Sequence, residues 1–258
     1  MSCGTTTRLD IPTRFAEQAD RLEVKGAYSR HISFGKYSTT KIRRGWNIAS
    51  TRYSRRFFPE NLILNQVGIH KTEVVQGQKN KFSFNIADGQ RTADVYASEF
   101  EGNKSYKYRL GPLQGMVDAY QQMRQYQYLF SATIIADTTS APWQLYLSNS
   151  YNRNTDSAKT FFPAFNPGDD GMITQGRDTI VVRSLNLKKA TRPDGREGNY
   201  PVKILSGYEF RIQDGVVAIV DNIGKYVWFY NQLDDETKLV VAAAVVSIFA
   251  KRIKDVKW

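Results

Sequence analysis

The 258-residue chain is 41% hydrophobic and 24% charged, with 14 Phe, 15 Tyr and 4 Trp, which excludes disorder for most of its length and suffices for one full core. Its net charge of +11 is uneven: residues 1–82 hold 15 Lys or Arg against 6 Asp or Glu, net +9, and residues 83–258 hold 21 against 19, net +2. A single cysteine excludes an intramolecular disulfide framework and a thiolate metal cage.

In chain order, Met1-Ser2-Cys3-Gly4 and the threonines after it resemble the start of a mature bacterial lipoprotein of the Bacteroidetes type, in which a small residue precedes a lipidated cysteine. The resemblance implies lipid attachment at Cys3. No charged and apolar leader precedes Ser2, so the same residues also read as a frayed terminus with an incidental thiol. Residues 1–20 are expected to be a tether with one helical turn near Phe15–Gln18, and residues 21–258 a single β-rich domain.

From Leu22 the pattern becomes short Gly-bounded segments, at 22–24, 31–35 and 41–46, that read as strands with alternating burial. The segment holding Lys41, Arg43, Arg44, Trp46, Arg52, Arg55 and Arg56 is the densest mixture of bases and aromatics. Such a mixture can bind phosphate backbones, or lie on an anionic membrane with its rings in the interface. The same texture arises when Trp46, Phe57 and Phe58 are core residues of alternating strands and the arginines their solvated neighbours.

Phe82, Phe84 and Ile86 share one face of a strand, and Asp88-Gly89 supplies the positive φ of a type I′ hairpin into 92–96. A strand at 105–110, a short helix over 115–123, and strands at 126–135 and 143–147 are expected next. Residues 149–178 read as the longest irregular stretch, with Asp169-Asp170 as turn formers. A strand at 179–185 follows, then a charged loop at 188–199. Strands at 202–204, 208–212, 216–220 and 226–230 close a meander around an Asp214-Gly215 turn.

The chain ends in a run apolar on every side, residues 239–250, opened by Asp234, Asp235 and Glu236 and closed by Lys251 and Arg252. Acids at the start and bases at the end suit a helix dipole, and an all-round apolar helix must be enclosed. Its length of about 18 Å falls short of a bilayer's hydrocarbon core. The fold class expected is mainly β, an antiparallel barrel or sandwich, with a buried helix at about 234–253.

Residues 208–220, the strand after them, and Asp234-Asp235 with the apolar helix resemble the end of tubby-like C-terminal domains. The same stretch resembles uncharacterised Bacteroidetes lipoproteins. The first resemblance implies a closed barrel around the helix and, for tubby itself, phosphoinositide binding by surface Lys and Arg. None of those residues maps individually onto this chain.

Catalytic constellations are not evident. His31 and His70 stand apart, no Gly-x-Ser-x-Gly elbow or phosphate-cradling loop occurs, and Asp234-Asp235-Glu236 is explained as a helix start. The chain is therefore expected to be no enzyme and to need no cofactor or metal. The functional expectation is an envelope lipoprotein whose basic face meets anionic lipid or acidic polymer, anchored by lipid and not by a spanning helix. Two alternatives stand beside it: an intracellular module for nucleic acid or phosphoinositide, and a structural protein without a small ligand.

Overall fold

A computed structural model describes residues 9, 11–54, 69–110, 120–136, 141–152, 168–191, 197–213 and 215–252. One helical turn, α1 (Thr13–Ala16), precedes the strands β1 (Ala19–Glu23), β2 (Ser33–Phe34), β3 (Tyr37–Thr39), β4 (Arg43–Arg44) and β5 (Ile48–Ser54). The long strands β6 (Ile69–Ala87), β7 (Thr92–Leu110), β8 (Tyr120–Ile135) and β9 (Trp143–Asn152) follow. β10 (Asp170–Gln175), β11 (Asp178–Thr191), β12 (Glu197–Ile212), β13 (Gly215–Asp221) and β14 (Tyr226–Tyr230) lead into the helix α2 (Asp235–Ala250).

All fourteen strands among the described residues join one sheet, whose main path runs β1-β14-β13-β12-β11-β10-β9-β8-β7-β6-β3-β2. The pairings are antiparallel throughout. The two ends of the path meet. Lys25, just beyond β1, donates to the Ser33 carbonyl at 2.8 Å, and the Ser33 N–H returns a bond to Lys25 at 3.0 Å. The result is a nearly closed twelve-strand barrel; β4 and β5 pair with β6 further along its length.

The helix fills that barrel. Every residue from Leu239 to Ala250 is buried, including Ser247, whose hydroxyl donates to the Ala243 carbonyl at 2.8 Å. Asp234 caps the start by accepting from the Thr237 N–H at 2.8 Å. Four valines and Ile248 are β-branched and middling helix formers, so packing, more than propensity, holds the helix. Each large apolar side chain buried there contributes about 1.5–3 kcal/mol. Facing it are the inward residues of the strands, among them Phe84, Ile86, Val95, Phe130, Ile134, Leu145, Ile173, Val182 and Phe210.

Several boundaries differ from those expected. Residues 105–110 continue β7 and do not form a separate strand, and β6 reaches back to Ile69. Within residues 69–81 the apolar side chains are Ile69 and the adjacent Val74 and Val75, which do not alternate, so hydropathy carries little strand signal there even though the backbone pairs without a break from Ile69↔Leu110 to Ala87↔Thr92. Positive φ falls on Gly89 alone at the hairpin tip, in the sense of a type II′ turn. Asp88 instead steadies the turn, accepting from the N–H groups of Gln90 and Arg91 at 2.9 and 2.7 Å. Of the expected helix at 115–123, residues 120–123 are strand, and the rest lies outside the described residues. The irregular stretch at 149–178 is narrower than expected, because β9 runs to Asn152 and β10 is paired on both sides. β11 and β12 likewise extend into the charged region, with Thr191 opposite Glu197.

Candidate anion-binding site

Adjacent residues on a strand face opposite ways, and β4 puts two arginines to different uses. Arg43 is exposed on the outer wall, while Arg44 is half-buried and turned toward the end of α2. The Arg44 Nη1 donates to the Ala250 carbonyl at 2.8 Å, and its guanidinium carbon lies 5.6 Å from the centre of the Phe82 ring. Burial, and then the nearby charge of Arg252, lower its pKa from the ordinary value.

Arg43 pairs in register with Ser83, Ser83 with Tyr96, and Tyr96 with Thr133. One step along the strands, Lys81 pairs with Ser98 and Ser98 with Ser131. These two rows line a groove of about 560 Å³ on the outer wall. The Ser98 and Ser131 hydroxyls are 3.0 Å apart, and Thr133 donates to the Gln144 amide oxygen at 3.0 Å. Among the described residues no carboxylate lies within ion-pair distance of Arg43 or Lys81. The groove therefore offers two cations without an acidic partner among the described residues, over a polar floor in which Thr133 and one of the Ser98–Ser131 pair already donate their protons, leaving the other serine of that pair and Ser83 to donate to phosphate or carboxylate oxygens.

The other expected residues are spread out. Lys41 and Arg52 are exposed, Arg52 on β5 opposite Val75. Trp46 is 92% exposed, so it is no core residue. Arg55, Arg56, Phe57, Phe58 and Cys3 lie outside the described residues. Of the seven expected anion-binding residues, Arg43 and Arg44 both border the groove, but Arg43 alone presents its charge there, because Arg44 turns inward to Ala250; Lys81 joins Arg43 from a strand read only for its phenylalanines.

Behind the groove is a charged network that the turn and dipole arguments missed. Lys251 is the C-cap of α2, yet its side chain is buried. Its Nζ lies 2.7 Å from Asp169 Oδ2 and 2.9 Å from the Tyr208 hydroxyl, which donates to Asp169 Oδ1 at 2.5 Å. The rings of Tyr208, Tyr128 and Phe130 surround the same ammonium at 5.1, 5.3 and 6.0 Å. Glu99 accepts from the Arg252 N–H at 2.9 Å and from the Tyr128 hydroxyl at 3.4 Å. Burial, then the charge of Asp169, push the Tyr208 and Tyr128 hydroxyls well above their usual range, so both stay protonated donors. A signal existed in the residue types: Lys251 directly follows an all-buried run, and a base so placed needs a buried acid.

His31 is exposed and precedes β2, where a strand was expected. Among the described residues no group of three or more His, Cys, Asp or Glu is placed to hold a metal ion. Among them, too, no helix is long and apolar enough to cross a membrane. No family model, curated protein or solved structure matches this chain.

Proposed function

We propose that this chain is a non-enzymatic binding module of the cell envelope, held at a membrane by lipid on Cys3, whose outer groove takes anionic groups of lipid or polymer. The observation that carries the anionic ligand is the convergence of Arg43 and Lys81, without acidic partners among the described residues, on a groove floored by Ser83, Ser98, Ser131 and Thr133. The nearly closed barrel around a helix has the architecture that the tubby-like resemblance implies, and a shared architecture does not by itself carry a shared ligand.

Two measurements test the reading. Intact mass and detergent partitioning of protein made from its native gene, beside a Cys3→Ala form, should show an acylated detergent-phase product that becomes aqueous on substitution. An unmodified aqueous product removes the lipid anchor and favours the intracellular module. Separately, inorganic polyphosphate should bind the Cys3→Ala form with affinity that falls steeply with salt, and Arg43→Glu with Lys81→Glu should abolish it. Unchanged binding by that double variant overturns the groove.

A further inference from the structure

Resting on the anion-binding reading, we infer that the groove belongs to a larger face that docks on a bilayer surface, with the outer wall of β7–β10 seated among anionic headgroups. The wall alternates as a barrel wall should, yet its outward positions are not uniformly polar. Leu129 is 44% exposed, Tyr146 49% and Met172 46%. They are neighbours: Tyr146 pairs with Met172 in register, and Leu129 lies diagonally from Tyr146, opposite Ser148. The row through Leu129 continues to Phe100 and Lys79, and then to Ile48 on β5, itself 64% exposed. An oblique band of apolar side chains, with Leu129, Tyr146 and Met172 exposed and Phe100 half-buried, thus crosses the sheet from β7 to β10, and Lys79 on β6 separates it from Ile48. A contiguous exposed band of this kind marks a contact surface, where scattered single residues would not.

Charge identifies the occupant. β8 and β9 contain no acidic residue, the acids of β7 beyond Asp94, Glu99 and Glu101, occupy inward register positions, and the one acid of β10, the exposed Asp170 opposite Ser148, accepts from the Ser184 N–H and hydroxyl. The bases Arg43, Lys79 and Lys81 border the band, and the Lys79 Nζ lies 5.7 Å from the centre of the Phe100 ring. A second copy of the chain would bring this cationic border against itself. A soluble acidic polymer would meet the bases but would leave Leu129 and Met172 in water. A bilayer interface satisfies both, because headgroup phosphates take the bases while tyrosine and aliphatic side chains enter the region between headgroups and acyl chains.

The test uses the full chain as Cys3→Ala, so that no lipid anchor contributes. Co-sedimentation is measured with vesicles of phosphatidylcholine containing phosphatidylglycerol, and polyphosphate binding is measured at the same salt. The triple variant Leu129→Ser, Tyr146→Ser, Met172→Ser should lose vesicle binding by about tenfold or more while keeping polyphosphate binding and its unfolding midpoint. Because the altered side chains are already exposed, folding should survive; Leu129→Trp gives an independent readout, since its emission should shift to the blue on these vesicles. Polyphosphate binding without vesicle binding, or a triple variant that sediments like the parent, overturns the bilayer face and leaves the groove intact. A parent dimer that the triple variant dissolves, without vesicle binding, overturns it in favour of self-association. Failure of both probes overturns the groove and the face together.

Discussion

The ammonium of Lys251 sits 2.7 Å from the carboxylate of Asp169, and the two residues join the last turn of the chain's helix to the segment entering β10. Both side chains are only 6% exposed, so neither charge can fall back on water if the other is removed. Lys251→Met should destabilise the protein by about 3–5 kcal/mol, and Asp169→Asn in the same background should recover part of that loss. Urea unfolding of the two single variants and the double variant measures the coupling; additive losses would show that the pair does not act as a unit.

Phenol ionisation provides a second check. Tyr37 is pushed up to about 12, chiefly by burial, and Tyr126, Tyr128 and Tyr208 are raised further. A raised phenol pKa favours the neutral form in the fold. Its stabilising contribution is complete below the ordinary value of 10.0 and is lost as pH rises above it. Absorbance titration near 295 nm should therefore show these four silent while exposed tyrosines ionise, then appearing together with loss of structure.

Acid should act through the turn and the cap. Burial opposes ionisation of Asp88 and Asp234, but N–H donors from Arg91 and Gln90, and from Thr237, lower both pKa values; Lys36 lowers that of Asp235 by hydrogen bond and charge. A depressed carboxyl stabilises the fold above its ordinary value of 3.8, and that contribution disappears as pH falls through the lower folded value. The unfolding midpoint should hold down to about pH 4 and then fall. Asp88→Asn should flatten that acid limb, and an unchanged limb in Asp88→Asn would exclude this residue as a source.

The two arginines of β4 should separate stability from binding. Arg44→Ala removes the donor to the Ala250 carbonyl and should cost about 1–3 kcal/mol. Arg43→Ala should leave the unfolding midpoint unchanged and weaken polyphosphate binding. Denaturation and binding curves on both variants check the division, and reversed effects would show that the facing of β4 has been misassigned.

The helix was legible because three signals agreed on the same residues: an apolar run without a polar stripe, acids at its start, and Asp234 where a cap belongs. Strands were legible where apolar and polar residues alternate, as at Phe82, Phe84 and Ile86. They were not legible at Gln76, Gln78 and Asn80, where polar side chains also occupy the inward positions. Arg43 and Arg44 were read as one basic cluster, although a period of two already assigns them to opposite faces. Asp169 was hidden for a different reason: a turn explains an aspartate locally, and its actual partner lies 82 positions away.

The piece that fills the barrel is specified after every strand that surrounds it. Until residues 239–250 are available, the inward residues of the sheet lack the side chains they pack against, and the contact of Arg44 with Ala250 must wait across 206 positions. Chains cut short before the helix would present an empty apolar wall to proteases and chaperones. Synthesis as far as residue 250 is thereby a condition for closing the core.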